Sequence, residues 1–355
     1  VPWVAGALRP VEGLDYRARH PWMQRWAQAP VVAKQLSQTK TSRLGVQEKQ
    51  NVSMGPRLHV EEMKLDVSGA AFALDEGPSR HVQVLRMQPG EGLRVFDGRG
   101  REWQAEVTEM GRKVVQVRVL HGIDNDRELP VRVTLAVGMT ANDRMDTLVE
   151  KATELGAHAI QPLLCARSVL RLEGERAAKK VAHWQAVAVA ASEQCGRAVV
   201  PQVLPVVSSV GWLQQAAQMG QEGTGQPTGM TLAAPATQPA SGGSGVEGTA
   251  VNEAASGGWQ ARGVLSLRDA VPVGRWLDGL LADQVKRPEL AMAGSMGTGR
   301  ANWCFFSGPE GGLTPEEEDL ALSGGWQAVS LGRRVLRADT APLAVLSVIA
   351  AAMEA

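Results

Sequence analysis

After Pro130, strand-length apolar runs alternate with helix-length segments, and this alternation constrains the fold more than any other feature of the chain. VRVTLAV (131–137) reads as a strand. Met145, Leu148, Val149, Ala152 and Leu155 then recur at helical spacing, with Asn142 as N-cap and Gly156 as the terminating glycine. AIQPLLC follows as a strand, 175–194 as a long alanine-rich helix, and Trp212 sits in a short helix. VLSL (264–267), a helix around Trp276 and the strand NWCFFS continue the series. Such an order predicts an α/β domain with a mainly parallel sheet.

The region before Pro130 has a different pattern. LHV, AAFAL, GLRVFDG, EWQAEVTEM and KVVQVRVL are short strands, and Asp97-Gly98-Arg99-Gly100 is a hairpin turn between two of them. A small β-barrel or sandwich is expected over 56–129, and the α/β domain over 130–355. Residues 1–55 are basic, with eight Lys/Arg and three Asp/Glu, but lack an apolar signal core. They read as a mostly disordered leader upstream of a working chain that starts near Met54, although their bias also suits a transit peptide. Of the 39 residues in 220–258, 28 are Gly, Ala, Thr, Ser or Pro and none is basic, so a low-complexity insertion is expected. Its Gly243, Gly245 and Gly248 match a dinucleotide-binding spacing without the required strand and helix. A shorter insertion runs from about Pro288 to Arg300.

Composition excludes several classes. Three scattered cysteines and six histidines without HxxxH spacing support neither a disulfide scaffold nor a metal site, and they fit a reducing, cytoplasmic setting. No apolar run is long enough for a membrane span. Lys/Arg and Asp/Glu number 37 each, so any contact with nucleic acid must use local arginine clusters. The tryptophans at 103, 184, 212, 276, 303 and 326 form no stripe and read mostly as core, and Cys195 reads as a small buried apolar residue.

The last 55 residues carry the chemistry. A strand ending at Ser307 runs into Gly308-Pro309-Glu310-Gly311-Gly312, and Thr314-Pro315-Glu316-Glu317 then opens a helix as a capping box. After Gly324-Gly325, the strand WQAVSL leads into Gly332-Arg333-Arg334-Val335-Leu336-Arg337-Ala338-Asp339-Thr340, and a final helix runs from Pro342 to Met353. Two glycine-bearing bends at the carboxyl ends of parallel strands are where α/β sheets bind ligands, and their main chain could hold a purine. Spacing alone equally allows two ordinary turns on a salt-bridged surface.

These motifs resemble the ribosomal RNA small subunit methyltransferase E family, uridine-N3 methyltransferases of the knotted SPOUT superfamily. The resemblance rests on Gly308-Pro-Glu-Gly-Gly and Leu331-Gly-Arg-Arg-Val-Leu-Arg-Ala-Asp-Thr-Ala341. It extends to Arg80-His81 with Val84-Leu85-Arg86, Phe96-Asp97-Gly98, Glu150-Lys151-Ala-Thr-Glu154-Leu155-Gly156, Arg167-Ser168-Val169 and Ala191-Ser-Glu-Gln-Cys-Gly-Arg197. The fold it implies is a C-terminal SPOUT trefoil-knot methyltransferase domain behind a small N-terminal PUA-like β-barrel. It also implies S-adenosylmethionine as cofactor and a homodimer whose site is completed by the partner. The implied target is one uridine in the decoding region of small-subunit (16S) ribosomal RNA, free or in the assembled subunit. A non-catalytic RNA-binding or assembly module, and a SPOUT enzyme acting on another RNA, are the competing readings.

By the same resemblance, Leu267, Gly308, Glu310, Gly311, Gly312, Leu331, Gly332, Val335, Leu336 and Thr340 are expected at the cofactor. Arg337 is expected beside the substrate, unless it pairs with Asp339 or Glu310. Asp339, where relatives commonly carry Glu, is either the general base or the N-cap of the last helix. Glu310 either faces the sulfonium or ties down its own loop. Arg80, Arg86, Arg197, Arg333 and Arg334 are expected to meet RNA, with His81, read as lying on a strand, as a further candidate. Arg333 stands where relatives often have proline, and Arg197 is equally open to a capping and packing role.

Overall fold

The computed structural model describes residues 55–60, 69, 71–222, 259–286 and 300–354. The expectations for the leader, for nearly all of the low-complexity insertion with its glycine triplet, and for the shorter insertion lie outside these residues.

The first sheet contains β1 (Arg57–His59), β2 (Ala71–Ala73), β3 (Gly92–Phe96), β4 (Glu102–Met110) and β5 (Val115–Ile123), in the order β1-β3-β4-β5-β2. Among the described residues its one parallel pair is β1–β3. Alternation along β5 buries Val115, Val117 and Val119, the first two in one core with Leu58, Leu93 and Val95. The small β-sheet expected here is present, and among the described residues no pairing joins its edge strands β1 and β2. Helix α1 (Glu76–Val84) lies on it through Val82. The Ser79 hydroxyl donates to the Leu74 carbonyl at 2.8 Å and accepts from the Val115 N–H at 3.1 Å. Arg80 and His81 therefore sit on a helix, which corrects the strand expected there: Val82 and Val84 alternate like strand residues, but Val84 is exposed.

The second sheet is parallel throughout. It contains β6 (Val131–Gly138), β7 (Ala159–Leu164), β8 (Gln202–Val203), β9 (Val207–Ser208), β10 (Ala261–Leu265), β11 (Val271–Pro272), β12 (Ala301–Ser307) and β13 (Gln327–Ser330). Its order is β11-β13-β10-β12-β6-β7-β8, with β9 paired to β7. Both faces are covered, which is why β6 and β12 read as continuous apolar runs. One face packs on α2 (Asn142–Glu154), α3 (Gly174–Cys195), α5 (Val273–Lys286) and α7 (Thr340–Met353) through Met145, Leu148, Trp184, Trp276, Val345 and Ile349. The other packs on α4 (Ser209–Glu222) and α6 (Pro315–Ser323), where Trp212, Trp259, Trp326 and Phe306 meet edge to face or tilted. The strands and helices expected after Pro130 are present, with bounds shifted by a few residues: β10 ends at Leu265, and α7 starts at Thr340. The N-cap of α2 is Ala141, one residue before the Asn142 expected there.

Buried ionic groups join the two sheets. Glu102, at the start of β4, accepts from Arg57 Nε at 2.9 Å and from Asn125 Nδ2 at 2.6 Å. Arg57 also donates to the carbonyls of Ser192 (2.7 Å) and Arg197 (3.1 Å). Burial opposes ionisation of Glu102, but the Arg57 and Asn125 hydrogen bonds outweigh it and hold the carboxyl below its ordinary range. Arg197 belongs to the same junction. Its side chain is 4% exposed and salt-bridged to Glu128, which favours the packing role that the sequence left open beside an RNA contact.

Candidate cofactor and RNA site

β12 delivers Ser307 into the first bend. The N–H of Gly312 closes the bend onto the Pro309 carbonyl at 2.8 Å, with Gly312 at φ +71°. A side chain at Gly311 would stand 2.8 Å from Arg167 Cβ, so glycine is needed for this close approach. Arg167 Nη1 in turn donates to the carbonyls of Gly311 (3.1 Å) and Leu313 (3.0 Å). Behind the bend, the expected capping box forms: Thr314 Oγ1 accepts from the Glu317 N–H at 3.2 Å, and Glu317 Oε2 accepts from the Thr314 N–H at 3.0 Å. Glu317 Oε1 also accepts from the Ser209 hydroxyl (2.6 Å) and the Ala166 N–H (3.0 Å). Burial raises the pKa of this carboxyl, but these donors overcome it and hold the value below the ordinary range. The neighbouring Cys165 thiol, buried and beside Glu317, is pushed up to about 12, which leaves it protonated and unreactive at neutral pH.

Glu310 ties down its loop. Its Oε1 accepts the Ala141 N–H at 2.9 Å and lies 3.6 Å from Arg144 Nη1. The first bend is thereby fastened to the N-terminus of α2, where a carboxylate is favoured by the helix dipole.

β13 delivers the second bend, Leu331 to Asp339. The Arg337 carbonyl accepts the N–H groups of Thr340 and Ala341, both at 3.0 Å, as α7 starts. Val335 is 84% exposed and Leu267, beyond the end of β10, 57%. Arg333, Arg334 and Arg337 are exposed as well. Asp339 occupies the N-cap position of α7, but its side chain makes no capping bond, and its Oδ1 is buried without a hydrogen-bond partner.

The two bends and the Leu265–Leu267 segment enclose one cleft of about 530 Å³. Leu267, Gly308, Glu310, Gly311, Gly312, Leu331, Val335 and Leu336 line it, as do Arg334 and Arg337. Gly332, Arg333, Asp339 and Thr340 lie off the lining, within the same bend or at the start of α7. Arg80 and Arg86 lie elsewhere, exposed at α1 and just beyond its end. Sequence reasoning missed Arg144, which reaches the wall from α2. A cation in the first turn of a helix opposes the dipole, and that local conflict could have marked it. The cleft sets three arginines against Glu310 and Glu318, the latter 3.8 Å from Arg268. It can hold a zwitterionic or cationic ligand beside an anionic one.

Comparison with known proteins agrees with this geometry. A family model described as RNA methyltransferase domain matches residues 127–238 and 279–350, which include both bends. An RNA methyltransferase PUA domain model matches 74–120. A crystal structure of ribosomal RNA small subunit methyltransferase E from Neisseria gonorrhoeae, bound to S-adenosyl methionine, is 30% identical, with a TM-score of 0.60 over 83% of this chain and 96% of that one. The chain belongs to this methyltransferase E family. Members from Synechocystis and Bacillus subtilis are each 28% identical, over 88% and 82% of this chain and 83% and 95% of their own lengths. The PUA match covers α1, β3, β4 and most of β5 of the first sheet, and the RNA methyltransferase match covers β6 to β9, β12 and β13 of the parallel sheet. Among the described residues no helix is long and apolar enough to cross a membrane.

Proposed function

We propose that this methyltransferase E family member transfers a methyl group from S-adenosylmethionine to N3 of one uridine in the decoding region of small-subunit ribosomal RNA. The observation that carries the reading is the convergence of the 308–312 and 331–337 bends on one cleft. The residues present fit the cofactor. Glycines of the first bend and residues of the second line the hollow, Leu267, Val335 and Leu336 offer apolar surface, and about 530 Å³ is ordinary for a cofactor pocket. Bound there, S-adenosylmethionine supplies an electrophilic methyl group on a sulfonium.

The chain has two tasks besides holding it. It must orient the pyrimidine, since well-placed reactants are worth up to about 7–11 kcal/mol. It must also favour loss of the N3 proton, for which a positioned base contributes ~10²–10⁴-fold. Arg337, on the cleft wall, is suited to hold the phosphate or the O2/O4 charge of the uracil anion. Asp339, two residues on and just behind the lining, carries a buried oxygen with no hydrogen-bond partner among the described residues and is our candidate for holding the N3 proton. Arg334 at the cleft, with Arg333, Arg80 and Arg86, supplies exposed positive charge for the phosphates. A trefoil-knotted chain paired as a homodimer in the cytoplasm belongs to the same proposal.

The test is methyl transfer to purified small subunits that lack the modification, with the site mapped by primer-extension arrest. One arrest in the decoding region is expected. Methylation of a different RNA, or no S-adenosylmethionine binding by calorimetry even with RNA present, overturns the reading.

A further inference from the structure

The parallel sheet has a second hollow at the opposite ends of its strands. Arg132 lies at the start of β6, His158 just before β7 and Asn302 at the start of β12, and all three line it. The first sheet contributes the hairpin turn Gly98–Gly100, which is held against the second domain. Gly100 donates its N–H to the Ala198 carbonyl at 3.0 Å, and the Val200 N–H donates to the Gly98 carbonyl at 2.9 Å. The enclosed cleft measures about 580 Å³.

Its charge is one-sided. Arg99, Arg132 and Arg300 all line it. Among the described lining residues the carboxylate is Glu128, and Arg197 Nη2 already matches it at 2.6 Å. Among the described residues, Arg99 and Arg300 have no side-chain ion pair, although Asp97 accepts the Arg99 backbone N–H. Burial, together with Arg132, Arg197 and Arg300, holds the His158 imidazole down to about 4, so at neutral pH it offers hydrogen bonds without charge. Guanidinium groups contributed by two domains, around a cleft whose described carboxylate is already matched, suit an extended polyanion. Their planar forks match phosphate oxygens in pairs.

We propose that this cleft holds the phosphate backbone of the RNA substrate at a point remote from the target nucleotide; the proposal rests on the RNA methyltransferase reading above. β6 runs from Arg132 in this cleft to Gly138 beside Pro309 of the first bend, about 20 Å at ~3.3 Å per residue. A contact at that distance fixes register and orientation and carries no base information. RNA that reaches both clefts is gripped at both ends of the strands.

The experiment is a salt series of RNA affinities for the full chain and for the double variant Arg99→Gln/Arg300→Gln, using a small-subunit RNA fragment. The variant is expected to bind more weakly, and equally so for an unrelated RNA of the same length. The slope of log affinity against log salt is expected to fall by about 0.7 for each single-strand phosphate that the variant no longer neutralises. The melting temperature and the affinity for S-adenosylmethionine without RNA report whether the fold and the other cleft are intact, and both are expected to match the parent. Affinity and slope equal to the parent's overturn the site. So does a loss confined to the fragment's own sequence, since that reports base readout. A parent chain that binds RNA but methylates no small subunit sinks the reaction proposed above and leaves this comparison to decide the cleft.

Discussion

Arg197 and Glu128 form a two-edged ion pair: Nη2 lies 2.6 Å and Nε 3.1 Å from the carboxylate oxygens. The remaining nitrogen, Nη1, donates to the carbonyls of Thr153 (2.8 Å) and Ala157 (2.9 Å). With 4% and 11% of the two side chains exposed, removing one partner strands a buried charge. Arg197→Ala is therefore expected to cost about 3–5 kcal/mol in urea unfolding, with RNA affinity of the folded protein unchanged. Weaker RNA binding at undiminished stability would restore Arg197 as an RNA contact.

Gly138, the last residue of β6, lies directly under the first bend. A Cβ there would stand 2.5 Å from Pro309 Cδ and 2.5 Å from its nitrogen. Gly138→Ala must push the bend outward, and overpacking of this kind costs about 1–3 kcal/mol. If about 1 kcal/mol of that cost falls on the cofactor, S-adenosylmethionine binds roughly fivefold more weakly at ~1.4 kcal/mol per tenfold. An unchanged calorimetric affinity would show that the bend can shift without cost to the cofactor.

Arg337 and Asp339 divide the chemistry in the proposed reaction. Asp339→Asn is expected to lower kcat by ~10²–10⁴ while S-adenosylmethionine still binds. Arg337→Ala is expected to reduce kcat/KM for small subunits. Single-turnover assays separate the two effects. Wild-type rates in both variants would remove these residues from the site and leave family membership untouched.

Glu317 gives the fold an acid-sensitive element. Its folded-state pKa lies below the ordinary glutamate value of about 4.3, so the unfolded chain takes up the proton first as pH falls. The carboxylate's contribution is fully present above that ordinary value and disappears as pH drops through the folded one. Glu317→Gln should therefore lower stability at pH 7 and flatten the loss of stability below about pH 5. Parallel melting-temperature profiles for variant and parent would show that Ser209, Ala166 and Thr314 do not hold a charged group.

The site was readable from sequence where the chemistry was local. Thr314 and Glu317 announce a helix start by their spacing, and the adjacent glycines mark a bend at a strand end. Those signals sufficed to place two bends on one edge of a parallel sheet. Where a residue's role depends on distant partners, sequence was blind. Arg197 is one residue type with two possible environments, and Glu128 and the Thr153 carbonyl decide between them. Glu310 was open for the same reason until Ala141 appeared beside it. Helix α1 was missed because Val82 and Val84 alternate over a segment too short to establish a helical period.

Arg57 spans the seam between the two sheets, with Glu102 on one side and the Ser192 and Arg197 carbonyls on the other. A swivel between the two would separate Arg57 from the Glu102 carboxylate or from the two carbonyls. The span from one sheet to the other is therefore set by these contacts in the folded chain. Grafting a different RNA-binding module onto this catalytic half would require recutting the seam, because a longer linker would leave its ionic groups orphaned.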